Sequence, residues 1–147
     1  MTTEEIKSTP PAQAIVVAAG EGAAAPSSPF HYKATAQQTH GAYALLEVSG
    51  PAGNPGPPPH RHPNEEESWY VIEGELLFTV EGSSFRAPSG TFVLVPRGLS
   101  HTFRNAGPRP VKYLLRLSPP PFADMFREIG SATLQALHSK YGIEPGA

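Results

Sequence analysis

The sequence predicts an all-β domain, built as a sandwich or as a small barrel. Short apolar runs of about five to eight residues recur along the chain, each bounded by glycine or proline. The chain has 14 glycines and 18 prolines, and most of them fall between the apolar runs, as turn residues do between short strands. Within several runs apolar and polar residues alternate, which is the period of a half-buried strand.

The predicted strands lie between residues 41 and 118. In ELLFTVEG the apolar residues Leu76, Phe78 and Val80 alternate with other residues and therefore share one face of the predicted strand. The same alternation occurs in VKYLLRLS. In chain order the runs are GAYALLEVSG, ESWYVIEG, ELLFTVEG, SSFRAPSG, TFVLVPRG, HTFRNAG and VKYLLRLS. The steps Glu73-Gly74 and Glu81-Gly82 suit tight hairpin turns, because glycine adopts positive φ without strain.

The two ends of the chain differ from this pattern. Residues 1–12 are predicted to be a disordered tail, and residues 13–147 a single domain in which AIVVAA forms a strand before a loop. A helical segment is predicted over 121–142. Its first helix carries apolar residues at helical spacing and ends at Gly130; these residues are Phe122, Met125, Phe126 and Ile129. Ser131 is expected to cap a second helix, which Gly142 ends.

Composition excludes several classes of function. A net charge of −2 and a pI near 6.3 give no electrostatic basis for binding nucleic acid or an anionic membrane. The absence of cysteine excludes disulfides, thiolate metal sites and cysteine nucleophiles. It also fits a reducing compartment, so a cytoplasmic location is expected.

Histidines and a glutamate in PPPHRHPNEEESWYVIEG point to a metal site. His60 and His62 are two residues apart, so on an extended chain they project from the same face. Glu67 has the parity of Trp69, so a strand that buries the tryptophan also turns this carboxylate inward. Burying a carboxylate beside imidazoles is costly unless something pairs them, and a divalent cation does so.

A second segment, GTFVLVPRGLSHTFRN, strengthens this interpretation. Together the two segments resemble the signature motifs of the cupin superfamily over about residues 40–118. The first matches at His60, His62, Glu67 and Gly74, and the second at Gly90, Pro96, Gly98, His101 and Asn105. One departure is the leading glycine of the first motif, where this chain has Asn54 between Gly53 and Gly56.

The resemblance implies a β-barrel of the jelly-roll type around one divalent transition metal, which is iron, manganese, nickel, cobalt, copper or zinc. Its ligands would be His60, His62, Glu67 and His101. Because the family's spacing varies, Glu66 is an alternative to Glu67, although strand parity favours Glu67. Glu65 and Glu66 are then expected to be solvated loop acids. We interpret His31, His40 and His138 as ordinary surface histidines, since they fit no ligand spacing.

Within the family the chain looks most like the small quercetin 2,3-dioxygenase-type cupins. That likeness implies a dioxygenase acting on a flavonol-like or enol substrate, with Glu67 also serving as the catalytic base. A non-redox cyclase or isomerase acting on a polyketide-like carbonyl substrate is the alternative, and a cupin that binds a small molecule without turnover is a third. The aromatic residues expected to line the cavity and contact the substrate are Trp69, Phe78, Phe103 and Tyr113. The resemblance also suggests a homodimer.

Overall fold

Two five-stranded antiparallel sheets face each other in the computed structural model, which describes residues 14–120 and 123–147. The first sheet has the strand order β1-β2-β9-β4-β7 and the second β10-β3-β8-β5-β6. The strands are β1 Phe30–Ala34, β2 Ala44–Gly50, β3 His60–Arg61, β4 Glu66–Glu73, β5 Glu75–Val80, β6 Ser83–Pro88, β7 Phe92–Val95, β8 His101–Arg104, β9 Val111–Ser118 and β10 Glu144–Pro145. This arrangement is a double-stranded β-helix, and the predicted fold class is confirmed.

Alternation along the strands builds the core between the sheets. On β9 every second residue is buried, starting from Val111, and on β5 Leu76 and Phe78 are almost fully buried. Trp69, at 0% exposure, lies on β4 opposite Leu115 of β9. Because side chains on a strand alternate between faces, the polar residues between these positions point to the solvent.

The two predicted hairpin turns have different outcomes. Glu81 and Gly82 both have positive φ and join β5 to β6, as predicted. The prediction for Glu73-Gly74 is wrong, because β4 belongs to the first sheet and β5 to the second. Gly74 is instead the point where the chain crosses between the sheets. A Cβ there would lie 2.5 Å from the Pro110 carbonyl oxygen, so glycine is needed for this close approach.

The N-terminal prediction of a strand is also wrong. The described residues of AIVVAA form no regular element, and Ile15 and Val16 are 55% and 60% exposed. The carbonyl oxygen of Ala18 in this segment accepts from Lys33 Nζ, and in the loop that follows, the Tyr32 amide donates to the Gly22 carbonyl oxygen. The predicted tail over residues 1–12 lies outside the described residues.

Two short helices follow the barrel, α1 at Met125–Glu128 and α2 at Leu134–Lys140. Phe122, the first residue of the predicted helical pattern, lies outside the described residues. The N-cap of α2 is Thr133 rather than Ser131, because the Thr133 hydroxyl accepts a hydrogen bond from the Ala136 amide. Among the residues described, no helix combines the length and the apolar character that crossing a bilayer requires.

The outer face of the first sheet carries exposed apolar residues near its β7 edge. Phe92 and Leu94 of β7 are 61% and 43% exposed, and Tyr70 of β4 lies opposite Phe92. The homodimer suggested above stays a prediction, and this face is where it would be tested first.

The loop before β3 is anchored on β8, and this places the first histidine. The Asn105 amide donates to the Asn54 carbonyl oxygen, and the Thr102 hydroxyl donates to that of Pro57. Gly56 has φ +68°, and a Cβ there would lie 1.7 Å from the Phe103 carbonyl oxygen. Gly56 therefore permits the closest approach of this loop to β8, in a motif whose usual glycine position holds Asn54.

We expect Gly56→Ala to destabilise the fold more than Gly53→Ala. Both glycines have positive φ, so each alanine suffers a conformational strain of about 1–2 kcal/mol. A Cβ on Gly53 meets nothing within 4 Å, whereas one on Gly56 collides with β8. Urea denaturation should give a free energy of unfolding at least about 1 kcal/mol lower for Gly56→Ala than for Gly53→Ala. Equal values would show that the approach to β8 is not tight.

Candidate metal centre and cavity

Strand register brings two histidines of the second sheet together, and a third follows directly after β3. His60 of β3 is the direct partner of His101 of β8, and their ring centroids are 4.4 Å apart. His62 lies two residues beyond His60, with its ring centroid 5.0 Å from that of His60. All three are at most 5% exposed, so their imidazoles face the interior.

Glu67 approaches the histidines from the opposite sheet. It lies on β4 between Val95 of β7 and Leu117 of β9, and it is 5% exposed. Its Oε2 atom is 3.0 Å from His62 Nε2 and 3.1 Å from His101 Nε2. The four side chains therefore close on one point between the two sheets.

Backbone carbonyl groups fix the orientation of two imidazoles. His60 Nδ1 is 2.8 Å from the Pro58 carbonyl oxygen, and His101 Nδ1 is 2.9 Å from that of Leu99. A carbonyl oxygen only accepts, so both Nδ1 atoms carry protons and donate them. In the neutral ring the lone pair is then on Nε2, the atom that faces the cluster.

The protonation of the cluster follows from burial and mutual contact. Burial alone would raise the pKa of Glu67, but hydrogen bonds from His101 and His62 outweigh it and lower the pKa to about 2. Burial opposes the charged form of His101 as well, yet the contact with Glu67 leaves its pKa raised. For His60 burial dominates and lowers the pKa to about 4. Glu67 is thus a carboxylate and His60 a neutral imidazole at neutral pH.

This donor set fits a divalent cation. One ligand atom from each of His60, His62, Glu67 and His101 lies within 4.8 Å of the other three. Ligands of one transition metal, at bonds of about 2.0–2.2 Å, are separated by about 3–4.4 Å, so only small adjustments are needed. Three imidazoles and one carboxylate suit zinc, iron, nickel, copper, manganese or cobalt and leave coordination positions open for another molecule.

The neighbouring acids divide in a way that the sequence analysis did not predict. Glu66 is the outward residue of β4: its Oε1 atom lies 3.8 Å from Arg116, which removes it as the alternative ligand. Glu65 is not a solvated acid, since it is 4% exposed and its Oε2 atom lies 3.9 Å from His62 Nδ1. Burial raises the pKa of Glu65. Glu65 shares its parity with Glu67 and supports the far side of the His62 ring.

A cavity of about 310 Å³ reaches the cluster from the side of the C-terminal helices. Phe103 and Tyr113, two of the aromatics predicted to contact a substrate, line it. The prediction that Trp69 and Phe78 do so is corrected, since both are 0% exposed and absent from the cavity wall. They pack edge to face in the core, with ring centroids 5.1 Å apart and an interplanar angle of 75°, because alternation turns them inward at a closed part of the barrel.

His138 is a cavity residue that the sequence analysis missed. It lies on α2, half-buried, with its ring centroid 5.5 Å from that of His60. Burial lowers its pKa, and the nearby His62 adds to this effect. The prediction of an ordinary surface histidine is wrong because the packing of α2 on the barrel mouth depends on tertiary contacts. One signal was available: His138 follows Leu134 by four residues and so shares its helix face.

The central part of the chain is similar to a known protein family. Residues 47–116 match the family model described as Cupin domain. The matched segment contains all four clustered side chains. The helices α1 and α2 and strand β10 lie outside it.

Two relatives are proteins of polyketide synthesis. Polyketide synthase CurC of Streptomyces cyaneus is 35% identical over 60 residues, which are 41% of this chain and 39% of CurC. Tetracenomycin polyketide synthase protein TcmJ of Streptomyces glaucescens is 33% identical over 60 residues, or 41% of this chain and 40% of TcmJ. The chain therefore spans about two fifths of the length of these relatives.

A solved structure shows the same fold. A predicted oxalate decarboxylase from Thermotoga maritima superimposes with a TM-score of 0.57 at 20% identity. The match covers 60% of this chain and 77% of that one. At this identity the likeness concerns the fold alone.

We expect Glu67→Gln to lose metal while Glu66→Gln retains it. The amide removes the only carboxylate ligand of the cluster, and even partners outside the ligand shell are worth about 10–100-fold in affinity. Zinc affinity of Glu67→Gln should therefore fall by more than about 100-fold. Glu66 points to Arg116, so its variant is the matched control. Competition with a chromophoric chelator measures both. Wild-type affinity in Glu67→Gln would show that Glu67 is no ligand.

Metal affinity should fall as the pH is lowered from neutral. The raised pKa of His101 means that the metal-free protein keeps a proton on this ring at higher pH than a free histidine, whose pKa is 6.5. Metal must displace that proton, so about one proton is released per ion near pH 6. His60 adds nothing until about pH 4, because its pKa is lowered. Calorimetry of zinc binding in two buffers of different ionisation enthalpy counts the protons. Binding without proton release near pH 6 would contradict this assignment.

Proposed function

We propose that this chain, which has a double-stranded β-helix fold and matches the Cupin domain model over residues 47–116, is a metal-dependent enzyme acting on an apolar, enolisable carbonyl compound of the aromatic polyketide type. The reaction proposed is non-redox, a ring closure or an isomerisation. The observation that carries this proposal is the apolar cavity whose wall includes His60, His62 and Glu67 of the four-residue cluster.

The cavity suits such a substrate in size and in character. Its volume of about 310 Å³ is at the lower end of the range of about 300–1,000 Å³ usual for small-molecule sites. Its wall is mostly apolar and aromatic, with Phe30, Phe103 and Phe126 among its members. Planar ring systems bury well against such walls, and their exclusion of water strengthens polar contacts at the closed end.

Two polar groups of the chain are available to the substrate. The Tyr113 hydroxyl makes no hydrogen bond within residues 14–120 and 123–147, although the residue is 6% exposed and lines the cavity. Burial and the nearby Glu67 raise the pKa of Tyr113, so it keeps its proton and can donate to a carbonyl or enolate oxygen. Glu67 is ionised at neutral pH because its pKa is lowered, so its oxygens can accept a hydrogen bond from an enolic hydroxyl, and they could take the proton once a bound cation had made that hydroxyl more acidic.

A cation held by His60, His62, Glu67 and His101 would supply Lewis acidity to a substrate oxygen. The residues of the chain then divide the remaining tasks. Tyr113 stabilises negative charge on the oxygen, Glu67 accepts the proton, and the aromatic wall orients the rings and excludes water.

The two Streptomyces relatives support a substrate of the polyketide type, since both carry names from polyketide synthesis. The alternative is the quercetin 2,3-dioxygenase-type reaction on a flavonol or enol with dioxygen. It would use the same ligands and the same cavity, because open coordination positions beside an apolar pocket suit both reactions. The two reactions differ in whether oxygen is consumed, and this is what the experiment measures.

The test uses protein loaded separately with zinc, nickel, iron or manganese, and incubated with enolisable polyketide analogues and with flavonols. We expect a product with the mass of the substrate, or that mass less one water, and no oxygen uptake. Oxygen uptake equal to the substrate consumed, with both atoms of dioxygen recovered in the cleavage products taken together, would overturn the non-redox proposal in favour of the dioxygenase. No product from any substrate under any metal would overturn the enzyme proposal.

In the same assay Tyr113→Phe should lower kcat by roughly 100-fold, because one donor to a developing oxyanion is worth about that much. The metal content should not change, since the phenol is not among the ligands. Tyr70→Phe is the matched control, as Tyr70 is exposed on the outer face of the barrel. Full activity in Tyr113→Phe would remove this residue from the mechanism and leave the cavity and cluster as they stand.

A further inference from the structure

Part of the wall of the cavity comes from residues outside the matched cupin segment. Among the described residues after Pro120, His138 is the one polar side chain in the wall, and the others are the apolar Met125, Phe126, Ile129, Leu134 and Ile143. This part of the wall thus offers a single hydrogen-bonding group, which lies beside His60.

His138 is held where it can reach a ligand. Its helix α2 begins at the Thr133 cap, and the far side of α2 is tied to α1, since Lys140 Nζ is 2.6 Å from Glu128 Oε1. The helix α1 packs on the barrel through Phe126, whose ring centroid is 4.9 Å from that of Phe30. Beyond α2, strand β10 pairs with β3, the strand that carries His60. The imidazole is therefore presented from a fixed element.

The imidazole of His138 makes no hydrogen bond to any residue of the described ranges 14–120 and 123–147. Two other polar residues of the wall, Asn105 and Asn54, are already engaged: the Asn105 side chain donates to the carbonyl oxygens of Pro51 and Arg109, and the Asn54 side chain accepts from the Gly56 amide. A polar group that lines an apolar cavity with its hydrogen-bonding capacity unused is suited to contact a ligand.

We infer that His138 hydrogen-bonds a second oxygen of the substrate, while the first oxygen lies at the histidine–glutamate cluster. The inference deepens the function proposed above and rests on it. It narrows the substrate class to compounds with two oxygens in a 1,3 relationship, such as an enolised 1,3-diketone or an aromatic ketone with an adjacent hydroxyl. Their ring systems would lie against the apolar side chains of α1 and α2.

A ligand with two oxygens is favoured over one with a single oxygen because His138 needs a hydrogen-bond partner. A compound with a single oxygen would satisfy the cluster and leave His138 facing an apolar surface, which costs the hydrogen bonds that water gave it. A second oxygen about one hydrogen bond away removes that cost. His138 would then discriminate between substrates by the position of their oxygens, as a buried polar group does when its partner is missing.

The test compares two probes on zinc-loaded protein, 1-hydroxy-2-acetonaphthone with two oxygens and 1-naphthol with one. Dissociation constants are measured by fluorescence for wild type, His138→Leu, His138→Gln and Leu134→Ala, with zinc content determined for each. We expect His138→Leu to weaken the two-oxygen probe by about 3- to 10-fold and the one-oxygen probe by less than about 2-fold. His138→Gln, which keeps hydrogen-bonding atoms, should bind both probes within about 2-fold of wild type.

Leu134→Ala is the matched control, because Leu134 lies one turn earlier on the same helix face and also lines the cavity. It should weaken both probes by the same factor, as a lost apolar contact does. If His138→Leu also weakens both equally, or neither, His138 is only part of the wall and the inference is wrong, while the proposed function stands. If wild type binds neither probe, the proposed function fails together with the inference.

Discussion

A carboxylate that is shielded from water and faces three imidazoles is the constraint on which this molecule depends. Burial alone would favour the protonated form of Glu67, but its contacts with His62 and His101 reverse this preference. The barrel can close around Glu67 only because these partners are present. The same partners make the cluster a site for a divalent cation, so the condition for burying the charge is also the condition for binding metal.

The two-sheet architecture determines how far the Glu67 carboxylate lies from the imidazoles. Glu67 comes from a central position of one sheet, and His60 and His101 are direct neighbours in the other. The distance between the sheets therefore sets the distance between carboxylate and imidazoles. Trp69, two residues from Glu67, packs with its ring centroid 5.7 Å from that of His101. Core side chains between the sheets thus help to set the distance between the ligands. This explains why Trp69 packs in the core and does not line the cavity.

Much of this could be read from the sequence, since strand alternation and motif spacing are local properties. Parity alone placed Glu67 inward and Glu66 outward. The same parity applies to Glu65, which was taken for a loop acid because it precedes the strand. Alternation predicts that Phe78 and Tyr113 both point inward. It does not predict which end of the barrel is closed, and therefore not that Phe78 lies in the core while Tyr113 lines the cavity. His138 lies outside the motifs, and its position depends on how a helix packs across a barrel, which no local pattern encodes.

The pairing of β10 with β3 has a consequence for the order of assembly. His60 has His101 as its neighbour on one side and Pro145 on the other, and the Gly146 amide donates to the Pro59 carbonyl oxygen. During synthesis, about 80 further residues must therefore be added after β3 before β10 can pair with its second edge. Until then the strand that bears the first histidine remains an open edge of the second sheet, next to the metal-binding cluster.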